Sequence, residues 1–214
     1  MSAPEYRFVS HWEVLGTPEE VSDVLTDTRE LPRWWPSTYL TVEVLEEGDA
    51  KGVGKRVRLH TKGWLPYTLQ WELEVTESRH PNGFSIAAKG DLAGEGCWTF
   101  EPSGAWTLVR YEWRVRAEKP LLAVLSPVLR PLFEANHRWA MARGEESLEL
   151  ELARRRASTP SEKARIPAPP MPTTSSPLPL LAGAVAAGVA AFTVARLIGG
   201  GRRRRRRFGR GGWR

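Results

Sequence analysis

A chain of 214 residues with a formal net charge of +6 has room for one domain, or two small ones. The charge is unevenly placed: residues 161–214 hold eleven Lys or Arg against Glu162 alone, a net of +10 that leaves −4 for residues 1–160. The basic balance therefore belongs to a tail. A single cysteine excludes an internal disulfide and fits a reducing compartment, and the N-terminus lacks the apolar run of a secretory signal.

In chain order, residues 6–15 alternate, with Tyr6, Phe8, Ser10, Trp12 and Val14 on one side, and predict a half-buried strand. Thr17 then reads as a helix cap, with Pro18 in the first turn and Glu20 reaching back to it. Val21, Val24 and Leu25 are the buried stripe of that helix, and Leu31 to Pro36 close it with a turn that presents Trp34 and Trp35. From Thr38 the period becomes two. Strands are predicted over 39–47, 53–62, 67–79, 84–91, 95–102 and 106–117, separated by Gly, Pro, Asn and Asp turns. Leu69, Trp71, Leu73 and Val75 alternate with Gln70, Glu72 and Glu74, and Val109, Tyr111, Trp113 and Val115 alternate with charged residues. This is an antiparallel sheet with one covered face and one solvated face. Cys97, in the strand over 95–102, reads as a small core residue.

Residues 120–156 follow with helical spacing. Phe133, His137, Ala140, Gly144, Leu148 and Leu152 fall on one face. Ser126 and Pro127 read as a cap and first turn, and Pro131 predicts a kink or a restart. From Pro131 to Arg156 such a helix runs about 39 Å. A seven-strand sheet buries its apolar face only by curling around something, and this helix is the candidate. The predicted fold is α+β, a helix-grip arrangement of a curved seven-strand antiparallel sheet around a long C-terminal helix. Ala140 and Gly144 leave the middle of the helix face small. Either they make room for a ligand or they let helix and sheet approach closely.

The chain resembles the START-like, or SRPBCC, superfamily in its polyketide cyclase/dehydrase and lipid-transport branch. The resemblance covers about residues 5–153. It rests on Trp12-Glu-Val14 running into Thr17 to Val21, on Leu31 to Pro36, on Gly94 to Phe100, on Tyr111-Glu-Trp113, and on a final helix containing Gly144 to Leu148. It implies an apolar cavity between sheet and helix for a lipid, polyketide or quinone-like molecule. The candidate lining is Trp12, Trp35, Leu69, Trp71, Trp98, Tyr111 and Trp113 from the sheet side, joined by Phe133, Asn136, His137, Ala140 and Gly144 from the helix. Trp139 is a further aromatic candidate.

Chemistry is harder to find. His11, His60, His80 and His137 are scattered, none at ligand spacing to another or to Cys97, so no metal is expected. No phosphate-binding or dinucleotide glycine pattern occurs, and no cofactor is called for. With Val57, Leu59, Trp71 and Trp113 facing inward, Arg56, Arg58, His60, Glu72, Glu74, Arg110, Glu112 and Arg114 face solvent. His137 and Asn136 remain as polar candidates for the cavity. A lone histidine without an orienting carboxylate reads first as a helix-margin residue bonded to a carbonyl or water, and no residue is assigned a catalytic role. The favoured function is a membrane-tethered carrier or binding protein for an apolar small molecule. The alternatives are a cyclase or dehydratase, and an interaction module with a polyanion-binding tail.

The domain is expected over 1–156, followed by a Pro/Ser/Thr-rich linker over 157–177. Residues 178–198 form an apolar stretch of 21 residues, long enough for a bilayer core of about 30 Å, and predict a separate tail helix that spans the membrane or lies in its interface. Residues 199–214 are an Arg/Gly-rich end in which Arg202, Arg203, Arg204, Arg205, Arg206 and Arg207 would meet anionic headgroups. Nucleic acid is the competing partner for this run. The domain itself is expected in the cytoplasm, which conflicts with the positive-inside preference if the segment spans.

Overall fold

The computed structural model describes residues 5–117 and 120–173, with backbone alone at 117 and from 120 to 129. These residues belong to one unit, which ends at Thr174. The period-two segments form one antiparallel sheet of seven strands: β1 (Glu5–Leu15), β2 (Tyr39–Glu46), β3 (Arg56–Lys62), β4 (Thr68–Ser78), β5 (Gly83–Gly90), β6 (Leu92–Ser103) and β7 (Trp106–Ala117). Their order is β1-β7-β6-β5-β4-β3-β2. Six strands are a meander, and β1 adds to its far edge with Tyr6 opposite Val115 and Val14 opposite Thr107. The strands match their predicted spans to within a few residues. β6 begins earlier than expected, at Leu92, and β3 begins later, at Arg56, because the Asp49 carboxylate accepts from the backbone N–H of Lys51 and Val53 and coils the preceding residues into a turn. Register shifts at Tyr39/Thr41 and Val44/Glu46, and at Val75/Glu77, are bulges that bend the strands and increase their twist. The sheet curls accordingly.

Side-chain parity separates its two faces. Val57 and Leu59 are fully buried, and Trp71 and Trp113 nearly so. On the other face Arg58 bonds Glu43 and Glu72, and Arg7 and Arg110 converge on Glu112. Such exposed pairs are each worth about 1 kcal/mol or less. Cys97 corrects its sequence reading. Its neighbour Trp98 faces inward, so Cys97 is turned to the outer face, where Arg79 Nη2 donates to its sulfur at 3.2 Å.

The helices are α1 (Pro18–Thr26), a 3-10 turn (Thr28–Glu30) leading into α2 (Leu31–Trp34), α3 (Pro120–Arg156) and α4 (Pro160–Arg165). At the start of α1, Thr17 Oγ1 accepts from Glu20 N at 3.3 Å and the Glu20 carboxylate accepts from Thr17 N at 2.9 Å. The same carboxylate receives Arg156 at 2.7 and 2.8 Å, which fastens the start of α1 to the end of α3. The predicted cap at Ser126 is not where α3 begins. It starts at Pro120, also a proline placed in a first turn, and continues as one helix through Pro127 and Pro131. Each of these prolines removes one N–H donor, a local loss that a helix of 37 residues absorbs.

The second half of α3 buries Met141, Ser147, Leu148, Glu151 and Leu152. Arg33 of α2 clasps Glu151 with two bonds of 2.7 and 2.9 Å, and Arg155 adds a third at 3.0 Å. Beyond α3, residues 157–173 differ from a free linker. A second capping box, Thr159 with Glu162, starts α4. The chain then returns along the domain in extended form, held where Arg154 bonds the Pro167 carbonyl and Lys62 bonds the Thr173 carbonyl. The predicted helix over 178–198 and the Arg202–Arg207 run lie outside the described residues. Among the described residues no helix is long and apolar enough to cross a membrane.

Candidate functional site

Curvature of the sheet, the 28–39 segment and α3 enclose a cavity of about 200 Å³. That is far above the roughly 10–15 Å³ that one water needs. The wall is aromatic. Trp98 stacks on Tyr111 with centroids 4.0 Å apart and planes 16° apart, Trp113 lies 5.9 Å from Tyr111, and Trp71 lies 5.8 Å from Trp113. Gly96 on β6 makes this stacking possible, since a Cβ there would come within 2.9 Å of Trp113 and 3.0 Å of Tyr111.

Ten of the twelve residues expected to line a cavity border it: Trp35 from the end of α2, Leu69, Trp71, Trp98, Tyr111 and Trp113 from the sheet, and Phe133, Asn136, His137 and Ala140 from α3. Trp12 and Gly144 do not. Trp12 packs behind the wall, 5.8 Å from Trp35 and 5.3 Å from Trp98. Gly144 is small because Trp35 presses on it: an added Cβ would sit 2.2 Å from Trp35 Cζ2. At this position close approach, rather than space for a ligand, explains the glycine. Trp139 is half-buried and also off the cavity.

Other bordering residues were not singled out from sequence, Thr28, Thr38, Tyr39, Thr61 and Tyr67 among them. Extending the inward parity of Leu69 back by two finds Tyr67, and extending that of Leu59 forward by two finds Thr61. Thr28 and Thr38 lie in irregular backbone, where no periodicity points at them.

Half-buried groups form a rim where α3 passes the β3–β4 loop. Asn136 Oδ1 accepts from Leu65 N at 3.2 Å, and a Cβ on Gly63 would collide with Asn136 at 2.1 Å. The Phe133 ring meets Tyr67 and Tyr6 edge to face, at 6.5 and 5.9 Å. His137 stacks on Phe8 at 4.2 Å, with its Nε2 3.3 Å from Ser10 Oγ. Burial, assisted by the Arg138 charge, pushes the imidazole pKa down to about 4, so the ring is neutral at physiological pH. Burial raises the phenols of Tyr39, Tyr67 and Tyr111 above their ordinary value, and the Tyr39 phenol adds to the rise at Tyr111. Among the described residues no Asp or Glu borders the cavity, and no three His, Cys, Asp or Glu side chains gather as a metal site.

This fold and cavity can be set beside known proteins. The model of a family described as polyketide cyclase / dehydrase and lipid transport matches residues 7–149, about two thirds of the chain. No curated protein matches the sequence. Among solved structures, the Zhui aromatase/cyclase from Streptomyces sp. R1128 is similar with a TM-score of 0.57 at 19% identity, over 72% of this chain and 98% of that one. A START superfamily protein from Mycobacterium smegmatis gives 0.56 at 15% identity, over 68% and 96%. A protein from Thermus thermophilus gives 0.54 at 20%, over 72% and 100%. At these identities the likeness is one of fold.

Proposed function

The chain belongs to the polyketide cyclase/dehydrase and lipid transport family, and on that premise we propose that it binds and carries an apolar small molecule in the cavity under α3. The observation that carries this reading is the aromatic-walled cavity of about 200 Å³. A ligand that hides about 250 Å² of apolar surface there gains roughly 6 kcal/mol before its losses of freedom are counted. Native mass spectrometry of the purified protein, paired with quenching of its tryptophan emission by apolar polycycles, tests the proposal. A co-purified apolar compound and saturable quenching are expected. Unliganded protein that no polycycle quenches would sink it.

A cyclase or dehydratase is the second reading, and the His137–Ser10 contact at the cavity favours it. It ranks lower because a ring with a pKa near 4 is a weak base at neutral pH, and no carboxylate among the described residues borders the cavity to assist it. Turnover of a polyketide-like substrate that vanishes in His137→Ala, with binding retained, would reverse the order.

The tail is proposed as a membrane tether, supported by the 21-residue, mostly apolar stretch over 178–198, charged only at Arg196, and by Arg202–Arg207 after it. Burial of the apolar stretch persists in salt, whereas the arginine attraction is screened within about 10 Å at 0.1 M. Deleting residues 178–214 is expected to release the protein from membranes. Replacing the six arginines by glutamine is expected to keep it there with less preference for anionic lipid. Full-length protein released by salt alone would make the tail a polyanion-binding arm instead.

A further inference from the structure

The cavity wall carries polar groups that the fold leaves unused. Thr28 Oγ1 and Thr38 Oγ1 are buried with no hydrogen-bond partner among the described residues, and both residues border the cavity. Trp35 Nε1, between them in sequence, is also buried and unpartnered. By contrast, the indole N–H of Trp71 donates to Thr61 Oγ1 at 3.0 Å. The phenol oxygens of Tyr39 and Tyr111, bordering the same cavity, have no hydrogen-bond partner among the described residues. The other buried atoms without a partner among the described residues, at Ser22, Trp34, Ser37 and Ser147, belong to residues off the cavity.

Buried polar groups are nearly always paired, and a cluster of exceptions on one cavity needs a reason. One short segment supplies most of it. Tight backbone turns, Trp35 N to Leu31 O at 2.8 Å and Tyr39 N to Trp35 O at 3.0 Å, hold Trp35, Thr38 and Tyr39 close together, and Thr28 opens the 3-10 turn that leads into them. Tyr111 joins from β7, stacked on Trp98.

The character of these groups names what they take. Threonine hydroxyls donate and accept, phenols do both, and none is charged at neutral pH. Of the charged types, only Lys62 and His137 border the cavity among the described residues; Lys62 bonds the Thr173 carbonyl, and His137 is neutral. Lys62 is therefore the single cation among the described residues that a buried anion could meet there, and burying a charge is costly unless it is paired.

We propose that Thr28, Thr38, Tyr39 and Tyr111 form an anchoring site for a neutral oxygen, a hydroxyl or carbonyl, on one end of an otherwise apolar ring-bearing ligand. This rests on the cavity being a binding site and adds its chemical selectivity. Ring-bearing follows from the stacked wall, and neutral from the four anchoring groups, none of which is charged.

The test compares naphthalene, 2-naphthol and 2-naphthoate by quenching of tryptophan emission in the full-length protein. One net hydrogen bond is worth about fivefold in affinity. The expected order is 2-naphthol tighter than naphthalene by about fivefold or more, with 2-naphthoate weakest. Thr28→Val, Thr38→Val and Tyr111→Phe are each expected to weaken 2-naphthol several-fold while leaving naphthalene unchanged, which a folding defect would not do. Equal binding of the two neutral probes, tightest binding of the carboxylate, or variants that weaken both neutral probes alike would overturn the anchor while leaving a cavity that binds apolar compounds. Failure of all three probes would remove the binding reading and the anchor with it.

Discussion

At Gly144 two small effects of opposite sign compete. Alanine gains about 1 kcal/mol of helix propensity, but its methyl would lie 2.2 Å from a Trp35 ring that is itself buried on other sides. Overpacking of this kind costs about 1–3 kcal/mol, and so severe an approach belongs at the upper end. Gly144→Ala is therefore expected to lower stability by about 1–2 kcal/mol net in urea denaturation; a stabilised variant would contradict the contact. His137 makes a prediction about pH. Its folded pKa of about 4 lies below the ordinary 6.5, so between those values the unfolded chain binds more protons. Stability should rise with pH across that window and fall on acidification, by at most about 3 kcal/mol. Thermal melts at pH 4.5 and 7 should show a shallower pH dependence for His137→Gln than for the native protein. Trp12 and Gly144 also show where sequence periodicity stops being informative. Spacing tells which side of α3 meets the sheet, and parity tells which side of β1 is covered. Neither tells how far along the helix axis the open space extends. The cavity ends at about Met141, and beyond it the covered face of α3, with Leu148 and Leu152, is packed core.

The α2–α3 connection illustrates an asymmetry that belongs to elements rather than residues. Glu151 is 2% exposed while Arg33 is 51% exposed. Burial alone would raise the Glu151 carboxyl, but hydrogen bonds from Arg33 and Arg155 outweigh it and hold the pKa below the ordinary value. Removing the carboxylate leaves an arginine that water can solvate; removing the arginine leaves a buried carboxylate with Arg155 alone. Arg33→Met should thus cost more than Glu151→Gln, about 3 kcal/mol against about 1 kcal/mol. Equal losses in denaturation would show that the pair is solvated as a unit. The loss of Arg33 should also loosen Trp35, which α2 positions against the cavity. None of this was legible in the sequence, where Glu151 is one carboxylate in an alternating Glu/Leu run. The strands were legible because alternation and turn residues are local signals. The return of residues 166–173 along the domain was not, because it depends on hydrogen bonds to backbone carbonyls that composition does not encode.

For the whole molecule, the order of strands in the sheet differs from their order in the chain at one place, and that place governs how the protein is made. β1 is the first strand synthesised, yet its partner in the sheet is β7, about ninety residues later. At roughly 5–20 residues per second, Tyr6, Trp12 and Val14 have no strand to pair with for about 5–18 seconds of synthesis. The closing pair also has the largest loop to organise, so its formation comes late and folding should be slow for a chain of this size. A chain ended at Gly104 keeps β1 to β6 but gives β1 no partner, and is expected to lack a cooperative unfolding transition in circular dichroism. A cooperative melt from it would show that β2 to β6 fold without β7 and α3. The cavity wall is thus completed only when β7 and then α3 have been made, and a ribosome-bound chain has no binding site until nearly the whole domain has been translated.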